Sequence, residues 1–193
     1  METISLFFKQ GIAHILDIEG IDHMLFILAI TVFFSLKEWK RLAWLITAFT
    51  VGHSITLALS IFEVVSISRD FIEILIPITI IITCLNNLFK VYKPSQINYP
   101  FLYGMVLLFG CIHGLAFSNF LKMSLFEGDS IVGSLLGFNL GIEIGQLLIV
   151  LLFLGSIQII LRVFKRLQHT HVVAGCSVLV MLSALKILWG LLQ

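Results

Sequence analysis

The chain has 193 residues, of which 59% are hydrophobic and only 12% are charged, whereas globular domains carry about 25% charged residues. This composition excludes an ordinary water-soluble fold, because so few polar side chains could not cover its surface. The net charge is +1, with no basic or acidic tail, which argues against a nucleic-acid partner and a disordered arm. We therefore expect an integral membrane protein whose partner is the lipid bilayer.

The segment 4–18 is predicted to be an amphipathic helix lying in the membrane interface. Its apolar residues recur at helical spacing, at Ile4, Phe7, Phe8, Ile12, Ile15 and Leu16, while Lys9, Gln10 and Asp17 take the other side. The same segment could instead be a seventh, re-entrant element.

Apolar runs of about 20 residues, the length that spans a bilayer, follow this segment. They predict six transmembrane helices, over residues 21–36, 42–62, 71–91, 100–121, 134–161 and 172–192. The fifth run is longer than one bilayer thickness, so we expect it to be tilted or to project from the membrane. The predicted fold is an all-α polytopic bundle that forms a single transmembrane domain over residues 1–193.

The orientation follows from lysines and arginines, which are enriched in short cytoplasmic loops. They cluster after the first, third and fifth runs, at Lys37, Lys40, Arg41, Lys90, Lys93, Arg162, Lys165 and Arg166. This pattern predicts a protein of the bacterial inner membrane with both termini outside. The outer side then collects acidic residues that would concentrate cations, namely Asp17, Glu19, Asp22, Glu63, Asp70, Glu73, Glu127 and Asp129.

Ionisable side chains inside the predicted helices define a candidate site, because such residues are costly in a bilayer and usually functional. They are Asp22 and His23 at the start of the first run, His53, His113 and Glu143. With a rise of about 1.5 Å per residue, His53 lies about 16 Å and His113 about 20 Å above the cytoplasmic end of its helix, and Glu143 about 13 Å below the outer end. We therefore expect these residues to meet in the outer half of the bundle.

Other polar residues share helix faces with these candidates. Asn139 and Gln146 lie on the face of Glu143, and the hydroxyls of Thr50 and Ser54 could orient His53. Lys186, inside the last run, either pairs with Glu143 or Asp22, extends outward, or acts as a functional cation. The alternative to a functional site is a polar network that holds the helices together.

Imidazole and carboxylate ligands favour nickel, cobalt, zinc, copper or iron(II) over calcium and magnesium, which prefer all-oxygen sites. The expected cofactor or cargo is therefore a divalent transition metal ion. No HExxH motif or Cys/His finger spacing narrows the choice.

Four segments resemble the HupE/UreJ family of hydrogenase and urease accessory membrane proteins. They are GIAH with GIDHMLF (11–14 and 20–26), FTVGHSITL (49–57), FGCIHGLAF (109–117) and FNLGIEIGQ (138–146). The resemblance implies a permease for nickel or a related metal, with Asp22, His23, His53, His113 and Glu143 as functional residues and His14 as a candidate entrance ligand. At the inner end of the third run, Asn86 and Asn87 depart from the carboxylate that the family pattern would have.

Three functions remain open. The first is a permease or binding protein for a divalent transition metal. The second is an intramembrane zinc hydrolase or transferase that acts on lipid or peptide, with Glu143, Asp22 and Ser54 as its catalytic residues. The third is a metal-binding accessory subunit without turnover. The oligomeric state is also open, a homo-oligomer included.

Overall fold

The computed structural model describes residues 2–17, 20–93, 98–124 and 130–193. These residues form the helices α1 (Glu2–Leu16), α2 (Ile21–Thr31), α3 (Trp39–Ile61), α4 (Arg69–Tyr92), α5 (Tyr99–Ser124), α6 (Ile131–Val163) and α7 (His169–Leu191). A short 3₁₀ turn, Leu36–Glu38, leads into α3. No strand occurs in the described ranges, which confirms the all-α class.

Five helices of the described chain are long and apolar enough to cross a membrane: Leu36–Ile61, Arg69–Tyr92, Tyr99–Ser118, Ile131–Val163 and His169–Leu191. They correspond to the second to sixth predicted runs. The first run contains α2, which is apolar but has only 11 residues, a length of about 16 Å against a hydrocarbon core of roughly 30 Å. Membrane-spanning helices are thus confirmed, but the count of six is not.

The short helix α2 lies in the interior of the bundle, where it contacts α4, α6 and α7. Most of its side chains are buried, as expected for a helix that is apolar all round. Asn87 on α4 ties it to its neighbours, because its Nδ2 donates to the carbonyl of Ala29 at 2.6 Å and to the hydroxyl of Ser177 at 3.3 Å. One of the two asparagines of the third run therefore holds helices together.

Helix α1 runs along the first part of α6 in the same direction. A Cβ atom on Gly137 would overlap the carbonyl of Ile4, and one on Gly141 would overlap that of Phe8. Such close approach of backbones is typical of glycine-rich helix contacts in membranes. The apolar face of α1 thus packs on a neighbouring helix, and the predicted interfacial position is not confirmed.

Helices α3 and α5 also pack through glycines, close to two of the candidate histidines. A Cβ atom on Gly110 would overlap the carbonyl of Phe49, and one on Gly114 would overlap that of His53. The hydroxyl of Thr56 donates across the contact to the carbonyl of Cys111 at 2.8 Å. This contact fixes the spacing between the helices that carry His53 and His113.

We predict that Gly110→Ala destabilises the protein by about 1–3 kcal/mol, because the added methyl group overpacks the contact between α3 and α5. The matched control is Gly104→Ala on the same helix, where a Cβ atom would meet nothing within 4 Å and the better helix propensity of alanine applies. Denaturant unfolding of the purified protein in detergent measures both. Equal stability of the two variants would contradict the close approach.

Candidate metal site

The candidate site starts at the first turn of α2, which carries Asp22 and His23. A carboxylate is favourable there because it lies at the positive end of the helix dipole. The backbone N–H of His23 donates to Asp22 Oδ1 at 2.8 Å, and ring Nδ1 of His23 lies 3.0 Å from the same oxygen. The carboxylate thus fixes the orientation of the His23 ring.

His113, on α5, meets the other side of that ring. Its Nδ1 lies 2.8 Å from His23 Nε2. If His23 donates its Nδ1 proton to Asp22, its Nε2 accepts the Nδ1 proton of His113, a tautomer assignment that follows from the hydrogen bonds. The lone pair of His113 then lies on Nε2, which is buried and has no hydrogen-bond partner among the described residues.

Asp22, His23 and His113 together could hold a metal ion. One ligand atom from each lies within 4.8 Å of the other two. Two ligands of one zinc ion, each bonded at about 2.0–2.2 Å, lie up to roughly 4 Å apart, so small shifts would close this cluster on an ion. The mixture of imidazole and carboxylate fits a divalent transition metal.

Two more histidines flank the cluster. The ring of His14, on α1, has its centroid 4.8 Å from that of His23. His53, on α3, has its Nδ1 3.2 Å from Asn139 Oδ1, and Asn139 Nδ2 donates to the carbonyl of Leu135 at 2.8 Å. The amide oxygen therefore accepts from His53. The Nε2 atoms of both flanking histidines are buried and have no partner among the described residues.

A layer of phenylalanines closes one side of the cluster. Each of α2, α3 and α5 carries one ring about one helical turn from its candidate residue, namely Phe26, Phe49 and Phe109. Phe26 stacks on Phe109 with ring centroids 3.4 Å apart, and Phe49 lies 5.9 Å from Phe109. All three rings are at most 3% exposed. We call these three rings the phenylalanine layer.

A cavity of about 320 Å³ lies on the other side of the cluster. It is lined by residues that include His14, Asp22, His23 and His113, and it extends to Arg69 and Glu73 at the beginning of α4. Arg69 Nε lies 2.6 Å from Glu73 Oε1, and the Arg69 side chain is 71% exposed. The cluster is therefore approached from the end of the bundle where α4 begins.

Glu143 lies apart from the cluster. The hydroxyl of Thr47 donates to its Oε1 at 2.7 Å, while Asn139, one turn earlier on α6, meets His53. The sequence prediction placed Glu143 at the level of the histidines. In the structure α6 begins at Ile131, whereas the predicted run begins at residue 134. Glu143 therefore lies nearly one turn further below the start of its helix than the sequence predicts.

Among the proposed supporting residues, Asn139 contacts a histidine, whereas the others make different contacts. The hydroxyls of Ser54 and Thr50 donate to carbonyls of their own helix, at 2.6 Å and 3.2 Å, as hydroxyls in apolar helices commonly do. Gln146 is buried away from the histidines. Lys186 is exposed and forms no ion pair with Glu143 or Asp22 in the described chain. Of the outer acidic residues, Glu19, Glu127 and Asp129 lie outside the described residues.

Sequence reasoning missed two features that have a readable signal. Phe49 and Phe109 each precede a candidate histidine by four residues, a spacing that places both side chains on one helix face. Arg69 and Glu73 have the same spacing, which is typical of an ion pair on a helix. The first signal predicts an apolar layer beside the histidines, and the second a charged pair at the mouth of the cavity.

The family profile described as HupE / UreJ protein matches residues 1–191. The chain therefore belongs to the HupE/UreJ family, which confirms the resemblance of its motifs. It is a metal-related accessory or permease protein of a membrane. No curated protein and no solved structure matches the chain.

We predict that His23→Ala and His113→Ala each weaken binding of Co²⁺ or Ni²⁺ by more than about a hundredfold, since loss of a residue that merely orients a ligand already costs about 10–100-fold. The matched control is His169→Ala, at the first position of α7. Titration of the purified protein, followed by calorimetry and by the visible absorption of Co²⁺, measures the affinity. Wild-type affinity in both cluster variants would contradict the assignment.

Proposed function

We propose that this member of the HupE/UreJ family is a permease that carries a divalent transition metal ion, such as nickel, cobalt or zinc, across the bacterial inner membrane. The observation that carries the proposal is the position of the cluster. Asp22, His23 and His113 lie at the inner end of a cavity, and the phenylalanine layer closes the opposite side. A site open on one side and closed on the other suits one step of alternating access.

The chemistry of the cluster supports a metal ion as cargo. An arriving ion would replace the hydrogen bond between His23 and His113 with bonds to their lone pairs. Asp22 supplies a negative charge beside the ion, which lowers the cost of placing a cation in an apolar interior. His14, which also lines the cavity, would deliver the ion from the entrance side.

The direction of movement follows from the charge pattern of the loops. Lysine-rich and arginine-rich loops are typical of the cytoplasmic side, and in that orientation both termini and the beginning of α4 would lie outside. The cavity would then open to the outer side of the membrane, with the carboxylate of Asp22 facing an arriving cation. The proposed permease would therefore take up metal towards the cytoplasm.

The alternative of an intramembrane hydrolase receives less support. It would need a carboxylate that acts as general base beside the metal. Glu143 is engaged by Thr47, Ser54 is bonded to its own helix, and Asp22 would itself be a metal ligand. An accessory subunit without turnover would bind the same metal but would move none, so a flux measurement separates it from a permease.

We predict that proteoliposomes containing the wild-type protein take up Ni²⁺ or Co²⁺, and that Asp22→Asn lowers the initial rate more than about tenfold, because each 1.4 kcal/mol lost from ion binding is a factor of about ten. Quenching of a metal-sensitive dye inside the vesicles reports the rate. The amide keeps the size of the side chain and removes only the negative charge.

The matched control is Asp70→Asn, a carboxylate in the first turn of α4 that does not line the cavity. It should transport at the wild-type rate. Metal that binds stoichiometrically to the wild-type protein without any uptake would rule out the permease and favour the accessory subunit or the enzyme.

A further inference from the structure

Neither α1 nor α2 is long enough to cross a membrane by itself. They have 15 and 11 residues, which correspond to about 23 Å and about 16 Å, against a hydrocarbon core of roughly 30 Å. Placed end to end they measure about 39 Å, which exceeds that thickness. The two helices could therefore cross the membrane only as a pair.

Helix α1 follows α6 from the beginning of that long helix. A Cβ atom on Gly133 would lie 3.5 Å from the Ile4 side chain, and one on Gly137 would overlap the Ile4 carbonyl. About three turns later, a Cβ atom on Gly145 would lie 3.3 Å from the side chain of Ile15, in the last turn of α1. The whole of α1 therefore lies beside the first half of α6.

Helix α2 continues along the second half of α6. Val32, directly after α2, belongs to a small buried cluster with Ile157 of α6 and with Val172 and Val173 at the beginning of α7. From Gly133, beside the first residues of α1, to Ile157, α6 rises by about 36 Å. Because α6 is itself apolar and long enough to cross a membrane, the pair that accompanies it extends over a full membrane thickness.

The two helices are separated by a break at the metal cluster. Asp17 and Gly20 are not helical, and we call this interruption the helix break. His14 precedes it, Asp22 and His23 follow it, and the ring centroids of the two histidines lie 4.8 Å apart. The candidate metal site is thus built at the meeting ends of two half-helices, which is where the discontinuous helices of transporters bind ions.

We propose that α1 and α2 are the two halves of one discontinuous membrane-spanning helix, with the metal cluster at its break near the middle of the membrane. This span adds to the five long helices of the described chain. It replaces both an α1 that lies in the membrane interface and an α2 that crosses the membrane alone. The span goes beyond the proposed permease function and does not depend on it.

A depth measurement distinguishes this span from an interfacial α1. Nitroxide labels are attached to Ser5→Cys or Ala13→Cys, both exposed positions of α1, in full-length protein reconstituted in lipid. The background has alanine at the three native cysteines, Cys84, Cys111 and Cys176. Electron paramagnetic resonance with oxygen and a water-soluble chromium complex should place the Ala13 label about 12 Å deeper than the Ser5 label. Equal depths would overturn the proposal.

Sidedness tests the pair as a whole. In sealed spheroplasts, a membrane-impermeant maleimide should label only one of Ser5→Cys and Lys37→Cys, which flank α1 and α2, and should reach the other only after permeabilisation. The matched pair Ser130→Cys and Lys165→Cys flanks α6 and should differ in the same way. Labelling of Ser5→Cys and Lys37→Cys from the same side would overturn the discontinuous span. Neither measurement requires transport, so an absence of Ni²⁺ uptake would overturn the permease and leave the span intact.

Discussion

The contact between His23 and His113 is the interaction on which the rest of the candidate site depends. Their nitrogens lie 2.8 Å apart in apolar surroundings, where an imidazole nitrogen without a partner is costly. Each ring also has a second contact that fixes its position. Asp22 accepts a hydrogen bond from the ring of His23, and the close packing of α5 on α3 fixes the helix that carries His113. The contact therefore joins the short central helix α2 to α5 and leaves lone pairs available to an ion.

The surroundings of the cluster differ strongly on its two sides. Polar and charged side chains line the cavity as far as Arg69 and Glu73. The rings of the phenylalanine layer, by contrast, are almost fully buried, and Phe26 stacks on Phe109. A metal ion in the cluster would have an aqueous route on one side and an apolar barrier on the other. In the proposed permease, an ion could pass this layer only if the rings rearrange.

Much of the architecture could be predicted from residue type and spacing. Apolar runs identify the long helices, since few other structures satisfy backbone hydrogen bonds in lipid. The meeting of Asp22, His23 and His113 follows from their depth, because a helical rise is nearly constant. The family motifs contain the same residues, and the family match covers them all.

Other features depend on details that spacing cannot supply. Glu143 and Asn139 lie on one face of α6, and an error of less than one turn in the start of that helix decides which of them meets His53. The sequence predicts that the hydroxyls of Thr50 and Ser54 orient His53. In the structure each donates instead to a carbonyl one turn earlier on its own helix, which is a closer partner than the ring. The short length of α2 comes from its end at Thr31, five residues before the end of the predicted run, which hydropathy does not reveal.

X-ray absorption at the metal edge tests the central claim most directly. For protein purified with one bound Ni²⁺ or Zn²⁺, we predict scattering from at least two imidazole rings together with a carboxylate oxygen, at about 2.0–2.2 Å. One imidazole contribution should disappear in His113→Ala. A coordination shell made only of oxygen, or an imidazole signal unchanged by that substitution, would contradict the assignment of Asp22, His23 and His113 as the metal site.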